Sequence, residues 1–426
     1  MSYLLKNAFV YTGNTFSKLD LLIERDIIKT IREFIPKTTE IQVFDFFNKY
    51  IFPGFADIHV HLREPGFSYK ETIKSGTLAA ARSGYTALGA MPNLKPVPDS
   101  VSNLRLQLEK IRSDAVVAVY PYGAITLGEE GRQLSDMEGM ADDVIGFTDD
   151  GKGVQNDNIM HEAMKKAKAL GKVIAAHCED DTLLYGGYIH EGAYAKEHGH
   201  IGIPSESEWR QVKRDIALAR ETGCAYHVCH ISTKESVELI RRAKEEGLDV
   251  SCETAPHYLL LHDGLLRDEG RFRMNPPIRS YDDMLALVEG IQDGTIDMIA
   301  TDHAPHSEEE KSGGLRDSLN GITGLECAFP ILYSGLVKTR KISLETLIER
   351  MSLAPKKRFN LPAADGIKEG GRADITVYDL EAEYVIDSNN FMSMGKSTPF
   401  DGYKVNGKCL FTMVAGKIVW EDVNNA

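Results

Sequence analysis

No run of about 18 apolar residues occurs in this 426-residue chain, and its start, MSYLLKNAFVYTG, has no charged segment leading into an apolar one. A membrane span and a secretory leader are therefore not expected, and a cytoplasmic protein is. Positive charge is also short: 49 Lys and Arg stand against 63 Asp and Glu, a net charge of −14. That balance argues against nucleic acid or an anionic membrane as the main partner. The six cysteines (Cys178, Cys224, Cys229, Cys252, Cys327 and Cys409) show no CxxC or disulfide-scaffold spacing. Four lie in apolar, strand-like runs, as reduced buried cysteines do. Internal repeats and low-complexity tracts are missing too. A content of 42% hydrophobic residues supplies a large core, enough for one big domain or two to three smaller ones.

The two ends of the chain resemble each other. Residues 3–51 read as short β-rich runs (LLKNAFVY, LDLLIERDIIKTI, IQVFDFFNKYIF), and so do DITVYDL, AEYVI and YKVNGKCLFTMVAGKIVW near the C-terminus. Asn406-Gly407 and Ala415-Gly416 are expected hairpin turns there. Residues 1–51 and 363–426 are thus expected to form one small β-sandwich domain built from both termini. Between them apolar runs (ADIHVHL, TALGAMPN, AVVAVYPYGAIT, DVIGFTDDG, KVIAAHCED, CAYHVCHIS, DVSCETAPHYLLL, DMIATDHAP) alternate with helical stretches, several ending in glycine. Eight strands buried on both faces give an α/β expectation: a (β/α)₈ TIM barrel over residues 52–362. A doubly wound sheet is the alternative, but no glycine-rich phosphate loop follows the first strand. Two long loops, YGGYIHEGAYAKEHGHIGIPSESEW and HSEEEKSGGLRDSLNG, follow strands five and eight as expected covers or mobile segments. The acidic run 308–310 in the second reads as a solvated face.

Strand alternation puts Asp57, His59, His61 and Arg63 on one face of strand one, with Arg63 nearest the mouth. It puts His177 at the end of the row Val173, Ala175, His230 with Tyr226 and Val228 and opposite His227, and Asp302 after Met298 and Ala300. Four imidazoles and a carboxylate at one barrel mouth suit zinc, and they exceed what one tetrahedral ion with an open position needs. Two metal ions follow, with Asp149 or Asp150 of FTDDG as a bridge. One barrel histidine alone is more often a hydrogen-bonded structural residue; the full strand-end set is what argues for metal. His161, His190, His198, His200 and His262 are read as ordinary helix or loop residues.

The motifs PGFADIHVHLREPG, AMPN, FTDDG, AAHCED, HVCHIS, NPPIR and TDHAPH, in this order, resemble those of the type I dihydroorotases of the cyclic amidohydrolase superfamily. GRADITVYD and MVAGKIVW resemble that family's composite β-domain. The resemblance implies two zinc ions bridged by Asp150 and a hydroxide, with His59, His61 and Asp302 on one and His177 and His230 on the other. Superfamily members that bridge with a carboxylated lysine in strand four are a different case, since residues 143–150 contain no lysine. Implied substrate contacts are His61, Arg63, Asn93, Asn275 and His306, with the backbone of Asn320 and Gly321. Several relatives have Phe-Gly where this chain has Asn320-Gly321.

The implied reaction interconverts dihydroorotate and N-carbamoyl-L-aspartate, the third step of de novo pyrimidine synthesis, with Asp302 as the proton carrier. Arg63, a planar fork suited to carboxylate, separates that substrate from the neutral rings of hydantoins, dihydropyrimidines and allantoin. A hydantoinase, dihydropyrimidinase or allantoinase is the sibling alternative. A non-catalytic scaffold is the remaining one, although such a barrel would be expected to have lost metal ligands and all six positions are present. A homodimer and an association with aspartate transcarbamoylase are family-level expectations for partners.

Overall fold

The computed structural model describes residues 2–37 and 41–422; the rest of the expected terminal segments lies outside them. Five strands open the chain: β1 (Ser2–Tyr11), β2 (Phe16–Glu24), β3 (Ile27–Arg32), β4 (Gln42–Asp45) and β5 (Tyr50–Pro53). The second and third apolar runs of the sequence each break in two, at Arg25 and at Asn48, where φ reaches 57° at both. Barrel strands follow: β6 (Phe55–Val60), β7 (Tyr85–Ala90), β8 (Ala118–Pro121), β9 (Gly146–Phe147) and β10 (Val173–Ala176). The insertion after β10 carries its own pair, β11 (Ile189–His190) and β12 (Gly202–Ile203), which flank a short helix, Ala193–His198. Then come β13 (Tyr226–Val228), β14 (Val250–Thr254) and β15 (Met298–Ile299), and finally β16 (Ile375–Val385), β17 (Lys404–Val414) and β18 (Lys417–Glu421).

The barrel closes as expected. Strands β6-β7-β8 and β9-β10-β13-β14-β15 form two parallel arcs. Parallel bridges Gly123 to Phe147 and Val60 to His303 join them, and His61 N–H donates to His303 O at 2.8 Å. Crossover helices cover the outside, among them Ile73–Arg82, Asp157–Ala169 and Lys234–Glu245, in the three helical stretches with the clearest 3.6-residue pattern. Inside the barrel sit small and medium apolar residues, Ala56, Ile58, Ala87, Val173, Ala175, Met298 and Ala300. The barrel is thus a packed core rather than a pore, and only its mouth is polar.

The terminal strands form one eight-stranded sheet in the order β18-β17-β16-β5-β1-β2-β3, with β4 also pairing β1. It folds over its own core, since Phe44 and Phe46 of the N-terminal part meet Phe411 of β17 at 5.2 and 5.6 Å between ring centroids. Phe52, Phe55, Phe329 and Tyr378, all essentially buried, stack across the junction and weld sheet to barrel. Ala415-Gly416 is a two-residue turn between β17 and β18, both residues at positive φ. The other expected hairpin is corrected: Asn406-Gly407 lies inside β17, where the register against β16 shifts between Asp379 and Glu383. Gly407 has φ 96°, and a Cβ there would meet Phe329 at 3.0 Å, so this glycine serves a bulge and a close approach.

Candidate metal centre and substrate pocket

The polar residues of the mouth sit where strands end and the backbone turns sharply. His61 follows the last residue of β6, Arg63 has φ 59°, His230 φ 31° and Asp302 φ 48°. Strand alternation therefore stops being a guide before the site begins. In β13 it fails outright. Tyr226 faces outward and donates to Asp215 at 2.9 Å, while His227 points into the barrel against Ser251, Glu253 and Phe359. His230 reaches the mouth because the chain has left the extended conformation, and not because it shares a face with Tyr226 and Val228.

His59, His61 and Asp302 bring ligand atoms within 4.8 Å of one another, and so do His59, Asp150 and His230. His61 Nε2 is 3.0 Å from Asp302 Oδ1, His59 Nε2 is 3.3 Å from Asp150 Oδ1, and His230 Nε2 is 3.5 Å from the same oxygen. Zinc–ligand bonds of about 2.0–2.1 Å would put tetrahedral ligands roughly 3.3 Å apart, so this spacing fits an ion. His59 Nε2 and Asp150 Oδ1 are buried and make no hydrogen bond, a costly state that an ion between them would relieve. His177 sits at the margin, its Nδ1 3.0 Å from His230 Nε2. Asp149, the other aspartate of the pair, turns away: it accepts N–H bonds from Ile125 at 2.8 Å and Thr126 at 3.0 Å.

The neighbours of the imidazoles choose their tautomers. Glu253 accepts from His59 Nδ1 at 2.6 Å, which leaves Nε2 as the lone-pair nitrogen facing the centre. Asn93 does the same for His61 at 2.5 Å, its own amide being oriented by donation to Asp150 O at 2.7 Å. Burial works to raise the carboxyl groups of Asp150 and Asp302, yet the surrounding imidazoles hold both well below the carboxylate range.

Beside these groups opens a cavity of about 260 Å³. His61, Arg63, Asn93, Asn275, Asn320 and Gly321 line it, and His306 stands behind. Arg63 Nε donates to Pro305 O at 3.2 Å, and burial brings the guanidinium down to about 10, still cationic at neutral pH. His306 hydrogen-bonds Asn320 O through Nε2 at 2.7 Å and Lys70 Nζ through Nδ1 at 3.2 Å. Burial, with Arg63 and Lys70 close by, lowers its pKa to about 3, so the ring is neutral. Asn275 donates to Glu179 at 2.9 Å. The acidic run 308–310 is only partly the expected solvated face: Glu308 and Glu309 are exposed, but Glu310 pairs with Lys70 at 2.9 Å.

Sequence reasoning missed Glu253, Glu179, Lys70, Lys311 and Glu129. The last lines the cavity as a buried acid that burial and nearby Asp149 raise to about 8. For Glu253 a signal existed: a carboxylate inside DVSCETAP, a strand buried on both faces, needs partners.

Across nearly its whole length the fold superposes on solved barrels. An L-hydantoinase (dihydropyrimidinase) from Arthrobacter aurescens is 27% identical with a TM-score of 0.88, covering 98% of this chain and 96% of that one. A dihydropyrimidinase from Brevibacillus agri, at 24% identity and a TM-score of 0.87 over 99% and 95% of the two chains, shares the fold. Barrel and mouth together define an enzyme of the amidohydrolase fold with residues that could hold metal. Residues 48–236 match the Dihydro-orotase-like family. A dihydroorotase of Fusobacterium nucleatum is 50% identical over 420 residues, 98% of each chain, and one from a Geobacillus species 47% identical over 424 residues, 99% of each. The chain belongs to the dihydroorotase family.

Proposed function

We propose that the chain carries out the reversible cyclisation of N-carbamoyl-L-aspartate to (S)-dihydroorotate and water, as a type I enzyme of cytoplasmic pyrimidine synthesis with two zinc ions. Residues 52–362 form its catalytic unit, and 1–51 with 363–426 its β-domain. His59, His61 and Asp302 would hold one ion and His177 and His230 the other, with Asp150 available to both. When bound, the metal pair supplies Lewis-acid polarisation of the amide carbonyl and lowers the pKa of the attacking water. Asp302 takes the proton of that water and delivers it to the departing ring nitrogen; in synthesis it takes a proton from the carbamoyl nitrogen instead. Cyclisation consumes one carboxylate and one proton, so acidity favours the ring.

The observation that carries the choice of substrate is a guanidinium, Arg63, half-buried and lining the cavity that holds the imidazoles and carboxylates. A neutral ring would offer that fork no carboxylate inside the cavity; the ring carboxylate of dihydroorotate supplies a bidentate partner. Asn93, Asn275 and the backbone of Asn320 and Gly321 complete the wall, and His306 supports it from behind through Asn320 O. Kinetics of Arg63→Met test the reading. Catalytic efficiency on dihydroorotate should fall about 100-fold or more, roughly 3 kcal/mol of lost transition-state binding. Efficient turnover of hydantoin or dihydrouracil that survives Arg63→Met would instead favour the sibling amidohydrolase reading.

A further inference from the structure

Lys311 belongs to the loop after the eighth barrel strand, in the run HSEEEK, where a surface lysine would be unremarked. Its side chain is instead buried, with 8% exposure. Nζ donates to Arg273 O at 2.9 Å, Leu319 O at 2.6 Å and Gly321 O at 2.7 Å, which uses all three donors of an ammonium.

The three carbonyls come from two segments that approach the cavity separately. Arg273 lies two residues before Asn275, and Leu319 and Gly321 flank Asn320. Gly321 N–H donates to the same Arg273 carbonyl at 3.1 Å, so the two segments are also joined directly. At Gly321 φ is 131°, and a Cβ would come within 2.6 Å of Ala304 O, so this part of the wall has to be bare backbone. Its position cannot then be set by a side chain of its own. The guanidinium of Arg273 reaches the other way, donating to Tyr188 O in the insertion after β10 and stacking over the Tyr188 ring at 5.2 Å.

Burial, with Arg273 and Arg63 nearby, pushes the Lys311 amine down to about 7. A buried lysine in such company costs stability, and a methionine would fill the same space without a charge. Its presence is explained by what it holds. We infer that Lys311 is a positioning residue for substrate binding: it fixes the Asn320-Gly321 backbone against the Asn275 segment, so that the ring meets a preformed wall. The inference rests on the substrate contacts proposed above for Asn275, Asn320 and Gly321.

The experiment is steady-state kinetics of the metal-loaded full chain with dihydroorotate, on Lys311→Met, on Lys311→Cys before and after aminoethylation, and on Asn275→Ala. Lys311→Met should raise KM about 10-fold or more, with kcat within about threefold and with metal content as in the unaltered protein, while the carbonyls left without a donor lower the melting temperature. Aminoethylation, which rebuilds an amine of lysine length, should return the KM of Lys311→Cys close to that of unaltered protein treated alike. An unchanged KM in Lys311→Met overturns the inference, as does a KM rise accompanied by loss of metal. If Lys311→Met does not fold, the Cys pair decides, and an aminoethylated form that fails to regain KM overturns it. A KM rise in Asn275→Ala with none in Lys311→Met removes only the role of Lys311. No rise in Asn275→Ala removes the substrate contacts on which it stands.

Discussion

Glu253 has no exposed surface and does not line the cavity, yet three groups around the centre depend on it. It accepts from His59 Nδ1 at 2.6 Å, His227 Nε2 at 3.2 Å and the backbone N–H of His230 at 3.3 Å. Burial disfavours its charge, but His59 and His227 hold its carboxyl down at about 2. An anion fixed behind His59 sets the tautomer, aims Nε2 forward and makes the ring a stronger donor. Glu253→Gln keeps the shape and removes the charge, so the barrel should fold while metal affinity falls about 10- to 100-fold. Metal retained during dialysis against a graded chelator measures this, and retention equal to that of the unaltered protein contradicts it. At this scale the sequence was readable for residues with recognisable chemistry at strand ends, such as His59 and Asp302. It was silent on Glu179 and Lys311, and offered for Glu253 only a carboxylate in a doubly buried strand, because their importance lies in partners far away in the chain.

At the scale of elements, the eight strands were legible because each is an apolar run closed by turn residues, and the topology follows from their alternation with helices. What alternation could not supply was the last residue or two of each strand. The chain bends at Arg63, His230 and Asp302 to bring side chains over the mouth, and a period of two does not survive such bends. Gly407 misled for a related reason: a glycine at positive φ serves a bulge as well as a turn. The insertion after β10 was read as a covering or mobile loop, but it holds β11, β12 and a helix around buried His190. Burial, and then the nearby Arg279, lower that imidazole to about 4. Between pH 6.5 and 4 the unfolded chain binds a proton here that the folded chain refuses, so this contribution to stability falls as pH falls through that window. Relative to His190→Gln, the unaltered protein should lose up to about 3 kcal/mol more between pH 7 and pH 4. Denaturant unfolding of the metal-loaded protein at the two pH values checks the sign; equal losses in both proteins would refute it.

For the whole molecule, the two β-rich ends and the barrel between them were readable as separate patterns. Their union was not, because it rests on aromatic contacts such as Phe52 with Tyr378 and Phe55 with Phe329 that pair distant parts of the chain. The excess of acid over base describes the chain as a whole, while the pocket carries Arg63 on its wall, with Lys70 paired to Glu310 and Lys311 behind the Asn320-Gly321 backbone. The central claim follows: a centre of imidazoles and carboxylates does the chemistry, and the Arg63 guanidinium beside it selects an anionic ring. The most direct test is metal analysis of the purified chain coupled to turnover of dihydroorotate, hydantoin, dihydrouracil and allantoin. The account predicts about two zinc ions per chain and efficient turnover of dihydroorotate alone. Comparable turnover of a neutral ring, or a metal-loaded chain inert toward dihydroorotate, would contradict it.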